Sequence, residues 1–153
     1  MIGSILRNVG SVVVGLVVAL ALIVAVEGVS AIVHPFPPGV DPNDLEVCKA
    51  HVARYPQWVL ALAVVSWGFT AFVSAWLATR LAAGRHPAPG IVVGSLLLSA
   101  AATNLFMLPY PTWFIALNLV TIPLATYGGT RLGRGRTPPN AERITEPADS
   151  PAD

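Results

Sequence analysis

Apolar residues in this chain come in long blocks, separated by short breaks rich in proline and glycine. A membrane-spanning helix needs about 20 mostly apolar residues. Residues 9–33, 57–82, 90–108 and 113–132 each satisfy that requirement. "HPFPPGVDPND" ends the first block, "GRHPAPG" separates the second from the third, and "PYPT" separates the third from the fourth. Those breaks supply turn chemistry. The pattern predicts an all-α polytopic membrane protein, with residues 1–132 forming a four-helix transmembrane bundle. Within the first outer loop, Asp41 is placed to cap a helix with Pro42 at its first position. Leu45, Cys48, Val52 and Tyr55 then form an apolar stripe. Residues 42–55 therefore read as a short interfacial helix on the outer membrane surface. The end of the chain, residues 133–153, is polar, rich in proline and without periodicity, and reads as a disordered cytoplasmic tail.

Composition agrees with the blocks. Hydrophobic residues make up 54% of the 153 positions and charged residues 11%. A chain this short cannot hide such an excess in a water-soluble core. Arg7, Arg80, Arg85, Arg131, Arg134, Arg136 and Arg143 fall on one side of the four spans; only Lys49 and Arg54 fall on the other. The positive-inside rule then places both termini in the cytoplasm, in what reads as a bacterial inner membrane. The single cysteine, Cys48, excludes an internal disulfide and any CxxC redox pair.

The motifs "HPFPPGVD", "WLATRLA" and "NLFMLPYPTWF" resemble those of an uncharacterised family of small bacterial four-span integral membrane proteins. The likeness covers roughly residues 20–132. It implies the four-span architecture and carries no activity, cofactor or ligand with it.

Chemistry concentrates on Glu27, an acid inside the first apolar block. An ionised carboxylate in hydrocarbon costs several kcal/mol, so such residues face the interior, pair, or stay protonated. Glu27 lies about 10 Å below the outer end of its helix. Asn104 and Asn118 fall at similar depth, and with Ser30 they predict a polar cluster that ties the helices together. His34, two turns above Glu27, extends the cluster outward; a Glu–His ladder is also what a proton path to the surface requires. Gly68 and the GxxxG of Gly90 and Gly94 predict close helix packing within the bundle, with a dimer interface as the competing reading. Pro123 predicts a kink in the fourth span, with Asn118 or Thr121 placed to satisfy the carbonyl of Leu119. A metal site built from His34, Cys48 and His51 rests on one CxxH and a distant histidine, and no metal or cofactor is expected.

No nucleophile elbow, phosphate loop or paired intramembrane acid occurs, so an enzyme is not expected. Nor does anything point to nucleic acid. Two functions remain: a structural or accessory membrane protein fastened by Glu27, or a proton-coupled small-molecule transporter or channel subunit in which Glu27 titrates. The partners expected are membrane lipid and either a partner membrane protein or a homo-oligomer.

Overall fold

A computed structural model describes residues 2–135 and is all-helical among them. In chain order the helices are α1 (Ile2–Val33), α2 (Leu45–Val52), α3 (Gln57–Leu81), α4 (Ala88–Met107) and α5 (Thr112–Arg134), with one 3₁₀ turn at Ala83–Arg85. Three of them, α1, α3 and α4, are long and apolar enough to cross a membrane. The 23-residue α5 has comparable length but carries threonines, glycines, Asn118 and Pro123 among its apolar residues, and it falls outside that set. The tail beyond Gly135, expected to be disordered, lies outside the described residues.

Proline sets most of the helix starts. Pro56 and Pro111 stand in extended conformation just before α3 and α5, and Pro89 lies in the first turn of α4, where a missing N–H costs nothing. α3 begins at Gln57, where the second apolar block opens, and α5 at Thr112, one residue before the fourth. α1 begins at Ile2, ahead of the apolar block that opens at residue 9, and its polar first turns find partners at the end of α3 and in the turn after it. Arg7 Nε donates to the Leu81 carbonyl at 2.9 Å, and Asn8 Oδ1 accepts from the Ala83 N–H at 2.8 Å.

α2 is also shorter than expected. Its N-cap is Asp44, whose side chain accepts from the Glu46 N–H, and the helix ends at Val52. Asp41 instead accepts from the backbone and side-chain N–H groups of Asn43 in a separate turn, so the predicted first turn at Pro42 does not form. Cys48, half-buried, donates its thiol toward the Pro42 carbonyl, with Sγ 3.0 Å from the oxygen.

The packing centres on α3, which touches α1, α4 and α5. Its buried face is mostly small: Gly68, Ala71, Ser74, Ala75, Ala78 and Thr79. α4 and α5 bring glycines to that face. A Cβ added at Gly90 would stand 2.6 Å from the Ala75 carbonyl oxygen, and one at Gly133 would stand 2.8 Å from that of Trp76. Real side chains do not fit at those distances, so backbones approach because the residues are glycine. Gly68 faces Thr121 and Gly94 faces Thr126, so all three predicted packing glycines contact neighbouring helices of the same chain.

The hydroxyls do little to tie helices together. Thr70, Ser99, Thr103 and Thr130 each donate to the carbonyl four residues earlier in their own helix. Side-chain hydrogen bonds between the long helices sit at the two ends of the molecule, as in Trp113 Nε1 to Gln57 Oε1 at 2.9 Å. Close apolar packing is what holds the middle.

This arrangement predicts opposite outcomes for two glycines. Gly90→Ala overpacks the α3 contact and lowers stability in detergent by about 1–3 kcal/mol. Gly10→Ala, with nothing within 4 Å of its added Cβ, leaves stability unchanged or raises it by up to about 1 kcal/mol. Thermal unfolding of both variants beside wild type checks the pair.

Candidate functional site

The backbone of α1 approaches its neighbours closely only toward its N-terminal side. Its buried residues are Ser11, Gly15 and Ala19, and none lies beyond Ala19. A Cβ at Gly15 would meet Ala78 and Val93 at 3.0 Å, whereas one at Gly28 would meet nothing within 4 Å. Toward its C-terminal half α1 therefore stands clear of its neighbours. Two gaps result.

The larger gap, about 500 Å³, lies between α1 and α3 and is lined by Glu27, Ser30, Tyr55, Trp58, Trp67 and Tyr110 among others. A smaller gap of about 200 Å³ reaches toward α4, where Glu27, Trp67, Thr70 and Asn104 meet. Glu27, Trp67 and Thr70 line both. Glu27 is exposed, and it takes part in none of the hydrogen bonds or ion pairs among the described residues.

The predicted polar cluster thus comes together only in part. Asn104 shares the smaller gap with Glu27, without a hydrogen bond to it. Asn118 does not join them. It is fully buried in α5, its Nδ2 donates to the Phe114 carbonyl at 2.9 Å, and its Oδ1 has no partner. That bond is also a correction at the proline: Asn118 serves Phe114 and not the Leu119 carbonyl that Pro123 leaves free. Ser30 sits on the wall of the larger gap with its Oγ 3.2 Å from the Tyr55 hydroxyl.

His34 packs against rings at the end of α1. Its ring stacks on His51 of α2 with centroids 4.5 Å apart and lies 4.8 Å from that of Tyr55. Phe36 stacks on the other side of His51 at 3.9 Å. These contacts form a roof: stacked rings pin the end of α1 to α2, and the Ser30–Tyr55 contact ties it to the segment that follows α2. Tyr55 is the piece common to roof and gap. Burial pushes the His51 imidazole below its usual range, and the neighbouring His34 and Arg54 push it the same way. Tyr110 is pushed up, first by burial and then by the neighbouring Tyr55, Glu27 and Cys48. Nε2 of both histidines is buried without a partner. No group of three metal-ligating side chains converges among the described residues.

Sequence reading missed Trp67, Thr70 and Tyr110. Ser66 and Thr70, one turn apart on α3, are the signal that marks a polar line in an otherwise apolar helix. Neither a family model, a curated protein nor a solved structure matches this chain.

The roof carries a pH prediction. Protonating His51 costs more in the folded than in the unfolded protein, so its contribution is intact above pH 6.5, the ordinary imidazole value. That contribution is lost as pH falls from there through the lowered folded value. His51→Phe keeps a ring between Phe36 and His34 and removes the titration. Melting curves from pH 8 to about pH 5 should show a smaller acid-side loss in the variant than in wild type; equal losses would exclude His51 as their source.

Proposed function

We propose that this is a small four-span membrane protein of accessory type that accommodates a small ligand within the bilayer, beside Glu27. Supporting four spans, α5 runs alongside α3 over its whole length, with Trp113 on Gln57 at one end, Gly68 against Thr121 midway and Thr79 against Gly133 at the other. An α-helix of 23 residues extends about 35 Å, enough to cross a hydrocarbon core of about 30 Å. The orientation rests on charge. Arg7 and Arg80 gather at the end of α3 with Arg85 and the last turn of α5, whereas Lys49 and Arg54 belong to the opposite end. Both termini then face the cytoplasm of a bacterial inner membrane, and α2 lies at the outer surface.

One observation carries the functional reading: Glu27 lines two gaps and has no hydrogen-bond partner among the described residues. A carboxyl that fastened the helices would hold donors, and its neighbours would close around it. The open arrangement suits a group that meets something arriving from outside the fold. A second reading, proton-coupled movement of a small molecule, is favoured by Glu27 being common to both gaps, so that one carboxyl serves two compartments.

Two measurements test the proposal. Glu27→Gln, which removes no hydrogen bond, should melt within about 0.5 kcal/mol of wild type at neutral pH. A buried fastening carboxylate would lose about 3–5 kcal/mol instead, and that result would return Glu27 to a structural role. For topology, Cys48→Ala chains carrying Ala50→Cys or His86→Cys are treated in intact cells with a membrane-impermeant maleimide. Labelling at position 50 alone fits the orientation; labelling at 86 alone reverses it.

A further inference from the structure

We propose that the gap between α1 and α3 is a binding site for a hydrophobic organic cation, an ammonium on an aromatic or alkyl body, held by Glu27. The inference rests on the reading of Glu27 as a ligand-facing group and names the chemistry of its ligand.

Charge is the first argument. Among the described residues Glu27 is the only charged side chain lining either gap, and no cation among them neutralises it there. A carboxylate in a low-dielectric setting gains most from a partner of opposite charge, provided that partner tolerates the same setting. A hydrated metal ion does not: the gap offers one carboxylate and a few hydroxyls, and no group of three ligating side chains converges among the described residues. An ammonium on a hydrophobic body meets both demands.

The walls are the second argument. Tyr55, Trp58, Trp67 and Tyr110 all border the larger gap. Trp67 and Tyr110 are held in place by the buried Phe114, with ring centroids 5.8 Å and 4.7 Å from it. Indole and phenol faces attract cations as well as apolar bodies. The volume of about 500 Å³ falls within the usual span of small-ligand sites, about 300–1,000 Å³.

Depth separates this ligand from the headgroup of a lipid. Glu27 is about 10 Å below the end of α1, beneath the roof made by Tyr55, His34 and His51. A zwitterionic headgroup placed there brings a phosphate into hydrocarbon beside a carboxylate. A second copy of the chain fares no better, because none of α3, α4 or the second half of α1 carries a basic residue at that depth.

The test uses purified full-length protein in neutral detergent and three probes sharing one dansyl-hexyl body, ending in ammonium, hydroxyl or carboxylate. Energy transfer from tryptophan reports binding, because Trp58 and Trp67 line the gap. The ammonium probe should bind wild type at least tenfold more tightly than the hydroxyl probe, and the carboxylate probe least well. In Glu27→Gln the ammonium advantage should shrink to about twofold while hydroxyl binding stays unchanged; Glu27→Asp should keep part of the advantage and serves if the glutamine variant fails to fold. Ala63→Phe, which fills the larger gap, should abolish transfer from all probes. If ammonium and hydroxyl probes bind wild type equally, and Ala63→Phe blocks both, the cation assignment is overturned while the ligand site stands. If Ala63→Phe blocks none of them, both fail. A polyleucine transmembrane peptide with a lysine at Glu27's depth is the competitor: tighter binding of that peptide than of the ammonium probe would make the occupant a partner helix and overturn the proposal.

Discussion

The close approach of backbones along one face of α3 is the constraint on which the rest of the structure depends. Hydrocarbon gives helices no hydrophobic reason to associate, because lipid tails are as apolar as leucine. Association must come from contact area and fit. Alanine, serine, threonine and glycine on α3 meet glycines on α1, α4 and α5, and the resulting contacts bring carbonyls and methyls to within van der Waals reach. The hydroxyls fold back onto their own helices, so the seam stays narrow.

That solution has a consequence for α1. Its glycine contact with α3 and α4 is at Gly15, short of its middle, and a contact there fixes the first half of the helix without bringing the far end in. The far end is tied instead by rings and hydroxyls outside the apolar region, His34 and Phe36 on His51 and Ser30 on Tyr55. Between the two attachments the helices stand apart. Glu27 lies in that interval, without a hydrogen bond or ion pair among the described residues. The roof, the gap and the unpartnered carboxyl are thus one arrangement with a single cause.

Much of this was legible along the chain. Proline at positions 56, 89 and 111 marks helix starts in sequence and in structure alike, and the small residues of α3 announce the seam. Depth was legible for Asn104: counting residues from the breaks places it near Glu27, and the two share the smaller gap. Azimuth was not. Asn118 points into α5's own turn and Asn104 borders the smaller gap, a difference of rotation about a helix axis that no count from a loop can supply. Local competition hid the rest. Asp41 and Asp44 are both reasonable caps, and only the turn made by Asn43 decides between them. Arg7 and Asn8 look like residues outside a span until the end of α3 appears beside them.

Accessibility of the Glu27 carboxyl from the lipid phase is the most direct measure of whether it is free. Protein in native membranes is treated in parallel with a hydrophobic carbodiimide and with a water-soluble one, and the modified residues are located by mass spectrometry. An unpartnered carboxyl in a gap open to the bilayer predicts modification of Glu27 by the hydrophobic reagent, with Glu46 and the loop aspartates taking the soluble one. Glu27 left unmodified by the hydrophobic reagent, under conditions that label the loop acids with the other, would mean that it is enclosed and held, contradicting the open gap on which the functional reading stands.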